Sequence, residues 1–197
     1  TPKNRALLLD SRAAVERDRK TVIKLSEEAL AQMPEVTADN AVLVSNLNAN
    51  LGALYHDEGR IEDAKRHMEL AIQISEQLGR IGYHDSLLQF INYAVLLNNI
   101  GEPERGLDAL RKIERVVQEN NPDSGDHALT LEMMGSLYLS QGDIKRATEY
   151  HKRALSIYQV IWASEPELIG EKYQELQEYY QMANTAVPPG FLLTNGQ

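Results

Sequence analysis

The sequence predicts an all-α chain made by stacking one small helical unit about four times, and three observations predict it. A spacing of 42 then 41 residues brings the same residue types into step: Gly52, Ala94 and Gly135, then Gly59, Gly101 and Gly142, then Ala64, Gly106 and Ala147, then Ala71, Ile113 and Ala154. Within each copy the apolar residues recur with the helical period, as in Leu47, Leu51, Leu54 and Tyr55 and again in Ala64, Met68, Ala71 and Ile72. No run of β-branched residues alternates with period two between turn signals, so strands have nowhere to lie.

The elements follow in order. Residues 4–33 form a degenerate first copy, since Ala29 lies 42 residues before Ala71 and Pro34 closes the stretch. Arg17 and Asp18 occupy its turn, and two helices are expected there rather than one longer, bent helix. Helices are then expected at 42–58, 61–78, 86–100, 103–120, 127–141 and 144–164. Gly59, Gly101 and Gly142 sit where each first helix must stop, because glycine accepts the left-handed conformation that ends a helix. Asp143 and the Glu102-Pro103 pair restart the next helix as a capping acid and a first-turn proline would. The small residues at 52, 94 and 135 and at 64, 106 and 147 fall on facing sides of paired helices, where only Gly or Ala lets backbones approach closely. Glu165-Pro166 then breaks the chain before a last helix over 167–183 carrying Leu168, Tyr173, Leu176, Tyr179 and Tyr180, the cap a repeat stack needs. Residues 184–197 carry Pro188-Pro189-Gly190 and are expected to be non-helical, with Phe191, Leu192 and Leu193 either disordered or docked on a neighbouring surface.

Composition narrows the function. The 197 residues contain no cysteine, which excludes a disulfide framework, a zinc ribbon and thiol catalysis and fits a reducing, cytoplasmic setting. The uncharged stretch 86–101 contains Gln89, Asn92, Asn98 and Asn99 and is neither long nor apolar enough for a membrane span. No signal peptide is visible, and a start at Thr1-Pro2 suggests a processed or excised piece. A formal charge of −9 with no offsetting basic stripe argues against nucleic acid and anionic lipid as partners.

Leu51-Gly52-Ala53-Leu54-Tyr55 with Gly59, Ala64 and Ala71, and Met134-Gly135-Ser136-Leu137-Tyr138 with Gly142, Ala147 and Ala154, make the chain resemble the tetratricopeptide repeat family. The middle copy, with Leu97 in place of the tyrosine and Ile113 in place of the second alanine, fits more loosely. The repeat is longer than the usual length of about 34 residues. It resembles the variant in kinesin light chains, Leu-Gly-Asn-type polarity scaffolds and the sensor regions of maltose-regulator-type activators. The resemblance implies a right-handed superhelical solenoid of about four antiparallel helix pairs plus a C-terminal capping helix. It also implies a single domain over 1–197, divided as a degenerate repeat at 1–41, repeats at 42–83, 84–125 and 126–165, a cap at 166–184 and a tail at 185–197. In that family the first helices of the pairs form a concave wall that holds an extended or helical peptide, so binding without catalysis or cofactor is implied.

By the family's signature positions, Asn46, Ala49, Asn50, Ala53, His56 and Asp57 face that wall in the first clear copy. The second supplies Leu88, Ile91, Asn92, Val95, Asn98 and Asn99, and the third Leu129, Glu132, Met133, Ser136, Leu139 and Ser140. An asparagine carboxamide both donates and accepts, so Asn46, Asn50, Asn92 and Asn99 could pair with a bound backbone, or be merely solvated or bonded across helices. Leu88, Val95, Leu129 and Met133 would supply anchor pockets beside them, with His56 at the rim. The wall so defined has no Lys or Arg and only Asp57 and Glu132 as formal charges, unlike members that clamp a terminal carboxylate, which favours a neutral or mildly basic peptide.

Other chemistry is poorly supported. His56, His67, His84, His127 and His151 lack the i, i+4 pairing with glutamate of a helical zinc site, and His151 takes the bulky core position shared by Met68 and Leu110. Asp123-Ser124-Gly125-Asp126-His127 holds the residue types of a hydrolytic triad, but neighbours in one loop serve better as a helix cap. Tyr150, Tyr158, Tyr173, Tyr179 and Tyr180 read as inter-helix packing, and Glu62 with Arg66, Asp108 with Lys112 and Glu149 with Arg153 as solvated faces. The expected function is a non-catalytic scaffold that holds a partner peptide. The alternatives are a regulatory or sensor segment of a larger signalling protein or transcription regulator, and a self-assembling unit pairing through its ends or the Phe191 tail.

Overall fold

In the computed structural model, which describes residues 1–191, the chain forms α1 (Pro2–Val15), α2 (Arg19–Ala31), α3 (Ala41–Asp57), α4 (Ile61–Gln77), α5 (His84–Asn99), α6 (Pro103–Asn120), α7 (Gly125–Ser140), α8 (Ile144–Ile161) and α9 (Pro166–Met182). A 3-10 turn, Pro189–Phe191, follows, and among the described residues there is no strand. This is an all-α helical repeat fold. Its punctuation has the causes expected from sequence. Gly59 and Gly142 take φ of 73° and 76°, the left-handed region, and end α3 and α7. Each stop is closed by a backbone bond, Arg60 N–H to the Tyr55 carbonyl at 2.8 Å and Asp143 N–H to the Tyr138 carbonyl at 2.9 Å. Asp143 then caps α8 by accepting from Arg146 N–H at 3.0 Å.

The degenerate first copy is two helices. In place of a glycine, two acids make the turn: the Glu16 carboxylate accepts from the N–H groups of Arg17 and Asp18 at 2.7 and 3.0 Å, and Asp18 caps α2 by accepting from Thr21 N–H at 2.9 Å. α7 starts earlier than the spacing predicts because Ser124 caps it, accepting from His127 N–H at 3.2 Å. α8 stops earlier, at Ile161, and Trp162 stacks on Tyr158 with ring centroids 4.5 Å apart.

The chain divides into two compact units, Thr1–Leu96 and Leu97–Gln197. In the first, α1 packs on α2, α2 on α3 and α3 on α4, around Ala6, Ala29, Met33, Val44, Leu47 and Ile74. In the second, α6 packs on α7, α7 on α8 and α8 on α9, with Ala128, Leu131, Ala154 and Tyr158 buried together. Close helix approach depends on the small residues. A Cβ on Gly52 would fall 2.5 Å from Met68 Cγ and 3.2 Å from the Ala64 carbonyl oxygen, and one on Gly135 would meet the His151 ring. The charge pairs regroup relative to expectation: Arg66 pairs with Asp63 at 2.9 Å and Arg153 with Glu114 of α6 at 3.1 Å.

The tail docks as far as it is described. Asn184, at φ 52°, ends α9, and Phe191 is fully buried with its ring centroid 5.5 Å from that of Tyr180 and 6.2 Å from that of His151. Gln177 Nε2 donates to the Phe191 carbonyl at 2.7 Å. The 3-10 turn departs from the non-helical expectation, and Leu192 and Leu193 lie outside the described residues.

Candidate functional site

In the first unit, α3 brings Asn46, Ala49 and Asn50, and α5 brings Asp85, Leu88, Gln89 and Asn92, to one open cleft of about 270 Å³. Asn50 and Asn92 are exposed, and among the described residues neither carboxamide has a hydrogen-bond partner. Leu88 lies beside them with 42% of its surface exposed. Asn46 is committed elsewhere: its Oδ1 accepts from Gln89 Nε2 at 3.2 Å. Behind the cleft the buried Gln89 amide also donates to Ser45 Oγ at 3.1 Å and accepts from Ser75 Oγ at 2.8 Å, while Ser45 donates to the Ala71 carbonyl at 2.9 Å. Because a buried polar group is costly unless paired, this closed network fixes the spacing of α3, α4 and α5 and hence of the two free carboxamides. Asp85 is balanced by Arg80 at 3.0 Å.

A second hollow, of about 320 Å³, adjoins the first through Asn50 and is lined by Asp10, Ala13 and Ala14 of α1, Val22 and Ser26 of α2, and Ala53 and Leu54 of α3. Burial without a cationic neighbour pushes the Asp10 carboxyl above the usual aspartate value. His56 and Val95 are half-buried, at the last turn of α3 and in the C-terminal half of α5, outside both hollows.

In the second unit, Leu129 and Met133 are half-buried on α7, and Asn99 is exposed at the end of α5. Ser140 donates to Asn98 Oδ1 at 2.8 Å, and Leu139 is buried. Glu132 corrects the expected wall. It is 1% exposed and accepts from the Tyr158 hydroxyl at 3.0 Å and from Lys172 of α9 at 3.1 Å. Burial raises its pKa, opposed by the Lys172 ammonium. Asp57, the other expected wall charge, pairs with Arg19 at 3.2 Å. Neither acid is therefore uncompensated, and Lys172 supplies a cation that the signature positions did not.

The groups set aside as chemistry have structural duties. Ser124 donates to the Asn121 carbonyl at 2.8 Å, and His127 Nδ1 lies 2.5 Å from the Pro122 carbonyl oxygen. His151 is fully buried, with Nδ1 3.1 Å from the Tyr180 hydroxyl, and burial pushes its pKa down to about 4. Among the described residues no helix is long and apolar enough to cross a membrane.

Sequence reasoning missed Gln89 and the hollow at Asp10. Gln89 stands 42 residues after Leu47, so a polar side chain at a core register position was the available signal. Asn48, in step with Phe90, is a second case, and its Oδ1 lies 2.7 Å from His67 Nδ1.

Two tetratricopeptide repeat family models match the sequence, over residues 86–159 and 49–78, together more than half of the chain. No curated protein matches it. Among solved structures, BtubC (BKLC) from P. vanneervenii is similar with a TM-score of 0.72 and 25% identity, over 91% of this chain and 72% of that one. A Rap protein complexed with Competence and Sporulation Factor has a TM-score of 0.65 at 15% identity, over 93% of this chain and 56% of that one. Aspartyl phosphate phosphatase F from Bacillus subtilis has a TM-score of 0.69 at 16% identity, over 93% of this chain and 50% of that one. At these identities the last two likenesses concern the fold alone.

Proposed function

The chain belongs to the tetratricopeptide repeat family, and on that footing we propose that it is a non-catalytic scaffold that holds a segment of a partner protein against the faces of its first-of-pair helices. The observation that carries this is the pair Asn50 and Asn92: in step in the repeat, exposed, unpartnered and lining one cleft with Leu88 between α3 and α5. A carboxamide with both functions unused can take a backbone C=O and N–H together, and Leu88 offers the adjacent apolar contact. Asn46 serves as support through Gln89 rather than as a direct contact. His56 on α3 and Val95 on α5 in the first unit, and Asn99, Leu129 and Met133 in the second, are further candidates for partner contact, each within its own unit, with the repeats divided at 42–83, 84–125 and 126–165. The ligand is a neutral or mildly basic peptide. The compensation of Asp57 and Glu132 moves the source of that preference to Asp10.

The resemblance of the fold to a Rap protein solved with Competence and Sporulation Factor is consistent with a peptide ligand. Self-association through the tail has less support, because Phe191 is already buried by its own α8 and α9. The test is selection of binders from a random-peptide display library, followed by titration of a selected peptide against the wild type and an Asn50→Ala, Asn92→Ala variant. Binding weaker by about tenfold or more with an unchanged unfolding midpoint is expected. Equal affinity would remove the asparagines from the reading.

A further inference from the structure

The hollow between α1, α2 and α3 is where the first hairpin departs from the packing rule of the others. Subtracting the repeat spacing of 42 residues places Asp10 in step with Gly52 and Ser26 in step with Met68. In the later hairpins that register pair is a small residue facing a bulky one, Gly52 against Met68 and Gly135 against His151. Here the bulky residue has become a serine and the small one a carboxylate, so the space Met68 fills in the next hairpin is left as a cavity of about 320 Å³. Its polar lining is unspent. Ser26 is only 3% exposed, yet its hydroxyl, the Asp10 carboxylate and the Asn50 carboxamide have no hydrogen-bond or ion-pair partner among the described residues. The Ser26 hydroxyl and the half-buried Asp10 carboxylate open into the hollow rather than into a sealed core, so both remain available to a ligand that enters it.

We propose that this hollow is a subsite for a cationic side chain, the ammonium of a lysine or the guanidinium of an arginine in the bound peptide. Asp10 supplies the counter-charge, and Ser26 and Asn50 accept hydrogen bonds from the cation. The walls of Ala13, Ala14, Val22, Ala53 and Leu54 suit the aliphatic stem, which long basic side chains bury along apolar surface while the charged head is solvated or paired. Partial burial holds the Asp10 carboxyl above its ordinary value, and a cation bound in the hollow would lower it again. This subsite rests on the reading of the adjoining cleft as a peptide site, since Asn50 lines both.

The test does not depend on that reading. Nα-acetyl-lysine methylamide is titrated into the full chain while the methyl resonances of Ala13, Ala14 and Ala53 and the side-chain amide of Asn50 are followed by NMR. Saturable shifts at these residues are expected, with no response to the Nε-acetylated probe and binding about tenfold weaker in Asp10→Asn. Ser26→Met, which restores the filling residue of the next hairpin, is expected to keep the fold by circular dichroism and abolish the shifts. Silence at these residues, an equal response to the acetylated probe, or unchanged binding in Asp10→Asn would overturn the subsite. If the lysine probe binds but Asn92→Ala leaves peptide affinity intact, the cleft reading fails and the subsite stands. If Asn92→Ala releases the peptide while the probe is silent, the subsite alone fails.

Discussion

Gly135→Ala is the most direct probe of how the paired helices pack. On an exposed helix, replacing Gly with Ala stabilises by about 1 kcal/mol. At Gly135 the new Cβ would lie 2.5 Å from His151 Nε2 and 3.0 Å from Cγ, so the ring must retreat. It has nowhere to go: His151 is 0% exposed, its Nδ1 is 3.1 Å from the Tyr180 hydroxyl, and Phe191 packs on it. Overpacking of this kind costs about 1–3 kcal/mol, and a rigid, enclosed ring belongs at the upper end, for a net loss of about 2 kcal/mol. Gly52→Ala is the internal control. Its Cβ would meet the flexible Met68 at 2.5 Å but also α4 backbone atoms at 3.2 Å, and a net change of about 0–1 kcal/mol follows once the propensity gain is counted. Urea unfolding of the two variants measures the difference, and Gly135→Ala combined with His151→Ala should lose less than the sum of its parts. A Gly135→Ala chain as stable as wild type would refute the close contact of α7 and α8 at this point.

Other variants test the buried polar groups and the tail. With its pKa pushed down to about 4 from 6.5, the neutral His151 contributes stability that is complete above about pH 6.5 and is lost as the pH falls toward 4, by about 3 kcal/mol in all. Glu132, with its pKa raised, acts in the opposite sense, so the check is the difference in urea midpoint between wild type and His151→Gln across that range. Lys172→Met leaves Glu132 buried without its cation and should cost about 3 kcal/mol, most of which Glu132→Gln in the same chain should restore. Phe191→Ala should lose about 3 kcal/mol by thermal unfolding, because the ring is fully buried against Tyr180 and His151.

The helices and their order were legible because the period, the glycine stops and the proline starts are local signals, and α3, α4 and α6 lie within a residue of where spacing places them. The end of α8 and the start of α7 shifted because stacking of Trp162 and capping by Ser124 are decided by single side chains. Asn50 and Asn92 could be placed on one face from register alone. The free state of their carboxamides could not, because Asn46 in the same stretch of α3 is bonded to Gln89 and no sequence pattern separates the two cases. Glu132 was misread as a wall charge because its partner, Lys172, comes from the capping helix 40 residues away. Asp10 and Ser26 were hidden by the degeneracy of the first copy, although the same register that aligned Ala29 with Ala71 reaches both.

A photo-crosslinking amino acid placed at Leu88, with a matched control at Val160 of α8, tests the binding face most directly, since the two side chains are 42% and 66% exposed. A display-selected peptide should become covalently attached at position 88 and not at 160, and attachment at 88 should fall away in the Asn50→Ala, Asn92→Ala background. Attachment at 160, or at 88 undiminished by loss of both asparagines, would contradict the cleft between α3 and α5 as the place where a partner is held.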